Sequence, residues 1–151
     1  MDYSPPVIEY MRQRNAQSRP RLRFEVADCR SLSLPPSSYD LVLDKGLLDA
    51  IVCAPDAQAG VSRMLDAIAV GMAAGGAYAL VSHGPPAKLL PWVSPDARGW
   101  RVETWVLPKP GMGGGEAAAP YTPEGDQPGK LHYIYLFRRP VEVPLGVLSL
   151  G

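Results

Sequence analysis

The sequence has no excess of charge of either sign. Its 15 Lys and Arg residues balance 15 Asp and Glu residues over 151 positions, and no five like charges stand in a row. A polyanion-binding protein would carry a basic tract, and an interaction tail would carry a block of one sign. The composition therefore disfavours nucleic acid as a partner, and the length predicts one domain.

The sequence also has little cysteine and no long apolar run. Cys29 and Cys53 are its two cysteines, and they have neither metal-site spacing nor the spacing of a Cys-x-x-Cys pair. No stretch approaches the roughly 18 apolar residues of a membrane span, and residues 1–4 do not resemble the start of a signal peptide. We expect reduced thiols, no metal and no membrane contact in a cytoplasmic protein, while a mitochondrial location stays open.

Proline and glycine, by contrast, are abundant, with 17 and 15 residues. Many of them fall in residues 108–130, which have no apolar period and many chain breakers. We predict one flexible loop there, within a domain that spans residues 1–151. The glycine run 111–115 precedes no helix, so we interpret it as part of this loop rather than as a cofactor loop.

Hydrophobic periodicity predicts alternating helices and strands. Helices are expected over about 5–17 and 57–73, the second ending at Gly75-Gly76. Residues 21–28 alternate between polar and apolar side chains, as in a half-exposed edge strand. Residues 40–44, "DLVLD", form a short apolar run that is typical of a central strand buried on both faces of a parallel sheet.

The later segments complete an α/β pattern. "AYALVS" is predicted to be a buried strand, "PPAKLLPWV" at most a short helix, and "WRVETWVL" and "LHYIYLFRR" an antiparallel pair. This order predicts a Rossmann-like, doubly wound α/β sheet with helices on both faces and a C-terminal antiparallel hairpin. Ligands of such sheets bind at the carboxyl ends of the strands, where Asp28, Asp44 and Ser82-His83 are expected.

Five segments carry a family resemblance, in this order: "DYSPPVIEYM", "LRFEVADCRSL", "SSYDLVLDKGLLDAIV", the Gly75-Gly76 turn and "LHYIYLFRRP". Together they resemble the class I S-adenosylmethionine-dependent methyltransferases. The likeness is greatest to the methyltransferase-like branch that methylates lysines of elongation factor 1-alpha and of citrate synthase, although Leu47 stands where that branch usually has threonine. The resemblance implies S-adenosylmethionine as cofactor and a protein lysine as acceptor.

The resemblance also implies roles for individual residues. Asp2 matches the acid that binds both ribose hydroxyls, with Tyr3 packed beside the adenine. Asp28 matches the acid that accepts a hydrogen bond from the adenine amino group, with the Cys29 backbone next to it; a turn cap is the alternative for this aspartate. Asp44 matches the residue that lines the pocket where the methionine ammonium and the acceptor nitrogen meet, and it is the candidate catalytic residue.

Three more residues are candidates for the substrate pocket. Gly46 would permit a tight turn at the pocket rim, and Lys45 is predicted to support the pocket as an ion-pair partner of Asp49 or Asp40. His83 follows a strand, where it could be a general base or simply a polar residue at the lip. The other histidine of the sequence, inside a strand pattern, is predicted to be structural.

The family's first strand and its glycine-rich loop have no counterpart in this sequence. The sequence opens where the family's second strand finishes, so we expect an N-terminally truncated, partial domain. In the family's order the first strand is central, and its removal would expose two sheet edges. Two alternatives to a protein-lysine methyltransferase stay open: a non-catalytic remnant that acts by interaction, and a related enzyme, such as an aminopropyltransferase, acting on a small molecule.

Overall fold

The computed structural model describes residues 1–111 and 117–141, and it divides the chain into two compact units, Met1–Ser33 and Leu34–Gly151. The helices of the described ranges are α1 (Pro5–Asn15), α2 (Leu47–Ile51), α3 (Ala57–Gly71) and α4 (Pro86–Val93). The strands are β1 (Tyr39–Lys45), β2 (Met72–Ser82), β3 (Arg101–Pro108), β4 (Ala119–Pro120) and β5 (Leu131–Arg138). No helix in these ranges has the length and hydrophobicity needed to cross a membrane.

The first unit contains α1 and an irregular segment beside it. Proline in the first turn starts α1 as predicted, because the fixed φ of proline suits that position. The predicted strand over residues 21–28 is wrong: it forms only one bridge, a parallel pair between Asp2 and Val26. The Arg12 guanidinium holds this segment instead, donating to the Phe24 carbonyl over 2.8 and 3.1 Å. An alternating pattern needs a ladder partner, and a single bridged pair does not supply one.

The second unit is built on a mixed sheet. Within the described residues its strands are ordered β1-β2-β5-β3-β4, with β1 parallel to β2 and the other pairs antiparallel. The antiparallel pairing predicted for "WRVETWVL" and "LHYIYLFRR" is confirmed by the register of β3 with β5. Between these strands, the short strand β4 and a 3₁₀ turn over Pro123–Gly125 interrupt the predicted loop. Residues 112–116, most of the glycine run, lie outside the described residues.

The Gly75-Gly76 pair lies inside β2 rather than at the end of a helix, because α3 already ends at Gly71. Gly75 has a φ of +76°, and a Cβ on Gly76 would lie 3.1 Å from the Tyr39 carbonyl oxygen. The pairing register between β1 and β2 also shifts at this point, from Tyr39 opposite Met72 to Leu41 opposite Ala77. The two glycines therefore permit a β-bulge at which the neighbouring strands approach each other closely.

Strand β1 is an edge strand in the described sheet, so the prediction of a doubly buried central strand is wrong. Its neighbour on one side is β2, and Leu41 and Leu43 are 59% and 70% exposed. An apolar run indicates that a strand can be buried on both faces, but it does not supply the second neighbour that would bury it.

The two faces of this sheet are covered very differently. Because side chains alternate along strands, the paired registers assign each residue to one face. The buried face consists of Tyr78, Leu80, Ser82, Tyr133, Tyr135 and Phe137, all at most 1% exposed. The open face consists of Leu41, Leu43, Lys45, Val81, Trp105, Ile134 and Leu136, all half-buried or exposed. Apolar side chains of α3 and α4, such as Leu65 and Val93, complete the core.

Candidate functional site

Asp44 is buried near the carboxyl end of β1, where it holds the start of α2. Its side chain is 5% exposed, and its oxygens accept from the backbone N–H groups of Leu47 at 2.8 Å and Leu48 at 3.2 Å. The Tyr78 hydroxyl donates a third bond over 2.9 Å. Burial raises the pKa of the Asp44 carboxyl above its ordinary value, and the three hydrogen bonds oppose that shift. Its geometry is that of a helix cap, and a direct role toward a cofactor stays a prediction.

Gly46 makes the turn between β1 and α2. It has a φ of +73°, a left-handed conformation that glycine adopts without strain. Its N–H donates to the Val81 carbonyl of the neighbouring strand over 2.9 Å, and its own carbonyl accepts from Ala50. The turn therefore ties the end of β1 to β2 and leads directly into α2.

Asp49 on α2 connects the ends of β1 and β2, whereas the sequence suggested for it only an ion pair with Lys45. Its carboxylate accepts from the Ser82 hydroxyl at 2.5 Å and from the His83 N–H at 2.9 Å. Ser82 in turn accepts from the Gly84 N–H at 2.9 Å. The Leu-Asp-Ala part of the motif after Gly46 was the available clue, but α2 has only five residues and shows no readable period.

A cavity of about 200 Å³ lies beside Asp49. It is lined by Leu48, Asp49, Val52, Gly84, Lys88, Leu89 and Trp92. The walls from α2 and α4 are apolar, and one carboxylate and one ammonium are the charged groups of the lining. A cavity with apolar walls and a few charged groups suits the methylenes and the charged end of a long side chain.

Lys45 projects from the open face, whereas the adjacent Asp44 projects from the buried face. The predicted ion pair of Lys45 with Asp49 or Asp40 is wrong: no ion pair among the described residues includes this lysine. Asp49 is instead bound to Ser82 and His83.

His83 follows β2 and faces the second histidine of the chain. Its ring centroid lies 5.0 Å from that of His132 on β5. Burial lowers the pKa of His132, and the nearby positive groups of His83, Lys109 and Lys45 lower it further. A neutral imidazole is therefore favoured at position 132 near neutral pH.

In the first unit, Asp2 and Asp28 lie on neighbouring segments. The parallel bridge of Asp2 with Val26 brings the two segments side by side. One oxygen of Asp2 accepts from the Ser4 N–H at 2.8 Å, and the other oxygen has no donor among the residues that the structure describes. That second oxygen fits a ligand hydroxyl. Tyr3 beside it is 79% exposed.

Asp28 caps a short 3₁₀ turn, which is the alternative that the sequence left open for it. Its carboxylate accepts from the Arg30 backbone N–H at 2.9 Å and pairs with the Arg30 guanidinium, the shortest contact being 2.8 Å. The thiol of Cys29 is half-buried and reduced. A ligand amino group would therefore share this carboxylate with Arg30.

Comparison with known proteins agrees with this fold. A family model described as a methyltransferase domain matches residues 1–71. The zebrafish eEF1A lysine and N-terminal methyltransferase is 34% identical over 108 residues, which are 71% of this chain and 15% of that protein. The mouse EEF1A lysine methyltransferase 4 is 48% identical over 52 residues, 34% of this chain and 20% of that protein. The chain thus spans a fifth or less of these curated relatives.

Two solved structures share the fold at low sequence identity. The YcgJ protein of Bacillus subtilis has a TM-score of 0.54 and 15% identity, with 93% of this chain and 81% of that one covered. A SAM-dependent methyltransferase from Methanosarcina mazei has a TM-score of 0.52 and 16% identity at the same coverage. At such identities the likeness establishes the Rossmann-like architecture.

Proposed function

Because the chain belongs to the class I S-adenosylmethionine-dependent methyltransferases, we propose that it serves to transfer a methyl group from S-adenosylmethionine to a lysine side chain of a protein. The observation that carries the proposal is the family match over residues 1–71, which includes Asp2, Asp28 and the Asp44–Gly46 turn. The relative that is 34% identical is named an eEF1A lysine and N-terminal methyltransferase and the one that is 48% identical an EEF1A lysine methyltransferase, which supports lysine as the acceptor.

Residues of the first unit are candidates to hold the cofactor, which supplies an electrophilic methyl group on a sulfonium when it is bound. The free oxygen of Asp2 would accept from a ribose hydroxyl, with Tyr3 beside the adenine. Asp28 and the Cys29 backbone would bind the adenine edge. Asp44 would act mainly by holding α2 and the Gly46 turn in place, since its three donors already come from the protein.

The acceptor lysine has to lose a proton before its nitrogen can attack the methyl group. Burial among apolar side chains lowers the pKa of an amine, and displacement at a methyl group depends on alignment and exclusion of water rather than on a strong base. The cavity beside Asp49 supports such a role: Val52 and Leu89 would surround the methylenes, and the Asp49 carboxylate would orient the nitrogen.

Isothermal titration with S-adenosylmethionine and with its demethylated product tests the proposal directly. We expect micromolar binding by this chain or by a form extended upstream to include a glycine-rich strand. The absence of binding by both forms would overturn the proposal. Transfer of a labelled methyl group to purified eEF1A, followed by mass spectrometry of the modified peptide, then tests lysine as the acceptor.

A substitution that fills the cavity beside Asp49 tests whether this cavity binds the lysine side chain that is methylated. We expect Val52→Trp to reduce methylation of a protein acceptor at least about tenfold while cofactor binding stays the same, because the new ring occupies the space of the side chain. Val70→Trp, at an exposed position of α3, is the matched control. Equal activity of Val52→Trp and wild type would remove the cavity from the proposal.

Binding without catalysis is the second candidate function. The exposed leucines of the edge strand β1 favour it, because an edge with apolar side chains can pair with a strand of another protein. Detectable methylation by the 151-residue chain alone would exclude this candidate.

A further inference from the structure

Four basic side chains stand at one edge of the sheet and on one face of it. They come from the ends of four adjacent strands: Lys45 ends β1, His83 follows β2, His132 starts β5 and Lys109 follows β3. We call Lys45, His83, Lys109 and His132 the basic edge cluster.

The pairing registers place these side chains on the open face. Lys45 is opposite Val81, and the pairing of β2 with β5 ends at Ser82 opposite Tyr133, which leaves His83 close to His132. His132 is also opposite Leu107, and the Lys109 N–H donates to the Lys130 carbonyl, which continues the same register. Because alternate residues of a strand share a face, Lys45 and His132 project from the open face, and His83 and Lys109 lie near His132.

Contacts and electrostatics agree with this register. The two imidazoles are 5.0 Å apart between centroids. Both Lys45 and Lys109 are close enough for their charges to depress the pKa of His132. The Nδ1 atom of His132 is buried and lacks a hydrogen-bond partner among the described residues.

Nearby carboxylates form no ion pair with the lysines of the cluster among the described residues. Asp49 directs its two oxygens to Ser82 and to the backbone of His83. Asp44 and Asp126 accept hydrogen bonds from the hydroxyls of Tyr78 and Tyr133, which project from the buried face. Glu103 projects from the open face, but it lies toward the far end of β3 and pairs with Arg138 over 3.5 Å. Neither lysine of the cluster takes part in an ion pair among the residues that the structure describes.

We propose that the basic edge cluster binds a carboxylate side chain of the acceptor protein, close in its sequence to the lysine that is methylated. The inference rests on the proposed function for the identity of the partner. Two imidazoles flanked by two ammonium groups on neighbouring strands suit an anion with several acceptor sites, which is the chemistry of Asp or Glu. The cluster lies at the carboxyl edge of the strands, next to the Gly46 turn, so a segment bound there would carry its lysine toward the candidate site.

A nucleic acid fits this cluster less well than an acidic protein segment. Binding along a phosphate backbone takes an extended basic groove and exposed aromatic rings for stacking, and the chain carries no net positive charge. The cluster is confined to four side chains, and their charge suits a local contact.

Two matched peptides test the proposal on the whole chain. Both contain one lysine; in one it is flanked by glutamates and in the other by glutamines. We expect the glutamate peptide to bind about five to ten times more tightly at low salt, with the difference shrinking as salt is added. Lys45→Gln and Lys109→Gln should each remove most of the difference. Arg101→Gln, the same loss of charge at the opposite end of β3, should preserve it.

Three outcomes would overturn the proposal: equal binding of the two peptides, an equal effect of Arg101→Gln, or displacement of the peptide by an oligonucleotide that binds more tightly. The same peptides, tested as methyl acceptors, distinguish this proposal from the proposed function. Methylation without any preference for glutamate leaves the methyltransferase assignment intact and removes the cluster from it. A preference that persists without methylation supports the cluster as a binding site and counts against the enzyme.

The ring protons of the histidines give a second readout by nuclear magnetic resonance. A bound carboxylate stabilises the protonated imidazole, so the glutamate peptide should raise the pKa of His132, whereas the glutamine peptide should not. Lys45→Gln should also raise the pKa of His132 in the free protein, because it removes a nearby positive charge. An unchanged His132 titration in the presence of bound glutamate peptide would contradict the assigned contact.

Discussion

The buried and open faces of the sheet differ although the same strands supply both. Asp44 and Lys45 are neighbours in the chain, yet one is enclosed by three hydrogen bonds and the other is exposed without an ion pair among the described residues. On the buried face, polar groups hold the protein together. On the open face, polar and apolar groups alike remain available to another molecule, and the basic edge cluster and the exposed leucines of β1 both belong to that face.

The largest expected difference in the free energy of unfolding is between alanine substitutions of two leucines on adjacent strands. Leu80→Ala on the buried face should lower the free energy of unfolding by about 2 to 5 kcal/mol, because it leaves a cavity in a closely packed core. The same substitution at Leu43 should change it by less than about 0.5 kcal/mol. Urea unfolding followed by circular dichroism measures both. A large loss at Leu43 would show that the open face is covered in the isolated chain.

The next largest difference in stability is expected between alanine substitutions of two aspartates of β1. Asp44→Ala should cost about 2 to 4 kcal/mol, because it leaves two backbone N–H groups and the Tyr78 hydroxyl without their acceptor. Asp40→Ala, at an exposed position of the same strand, should be nearly neutral. Thermal unfolding of the two variants side by side makes the comparison. Similar losses would contradict the capping role of Asp44.

A smaller effect should appear in the pH dependence of stability. The folded state raises the pKa of Asp44, so this residue contributes stability that is fully present below its unfolded pKa of about 3.8 and is lost as pH rises through the folded pKa. Relative to Asp44→Asn, which does not titrate, the wild type should therefore lose stability as pH rises above about 3.8. Urea midpoints of both proteins at several pH values measure the difference. A constant difference would indicate that the Asp44 carboxyl is solvated.

The smallest expected effect on stability is at Lys45. Lys45→Gln should change the unfolding free energy by less than about 0.5 kcal/mol, because this exposed side chain has no ion pair among the described residues. Its effect should appear in peptide binding instead. A loss of more than about 1 kcal/mol in urea unfolding would place Lys45 among the structural residues and weaken the contrast between the faces.

Local patterns predicted most of the elements but not how they are arranged. The alternation in β3 and β5 and the apolar period of α3 are local properties, and both were predictable. The apolar run of β1 was equally clear, yet its place at the edge depends on which strands are present beside it. The irregular course of residues 21–28 shows the same limit, since alternation cannot supply a pairing partner.

The candidate site shows this limit more sharply. The sequence pointed to Asp44, Gly46 and His83 because they follow strands, a relation that can be read along the chain. It did not connect His83 with His132, because their proximity depends on the antiparallel register of β2 with β5. The role of Asp49 was missed for a related reason: its partners Ser82 and His83 are 33 and 34 positions away in the sequence.

The position of β5 in the sheet has a consequence for how the protein folds. β5 pairs with both β2 and β3, yet it is the last described strand in the chain. During synthesis, β2 therefore emerges from the ribosome well before its antiparallel neighbour. The Tyr78 ring can stack on Phe137 only after β5 has been synthesised. Such late closure predicts slow folding and an early intermediate that is prone to aggregation, and a chaperone that shields β2 during this interval would raise the yield of soluble protein.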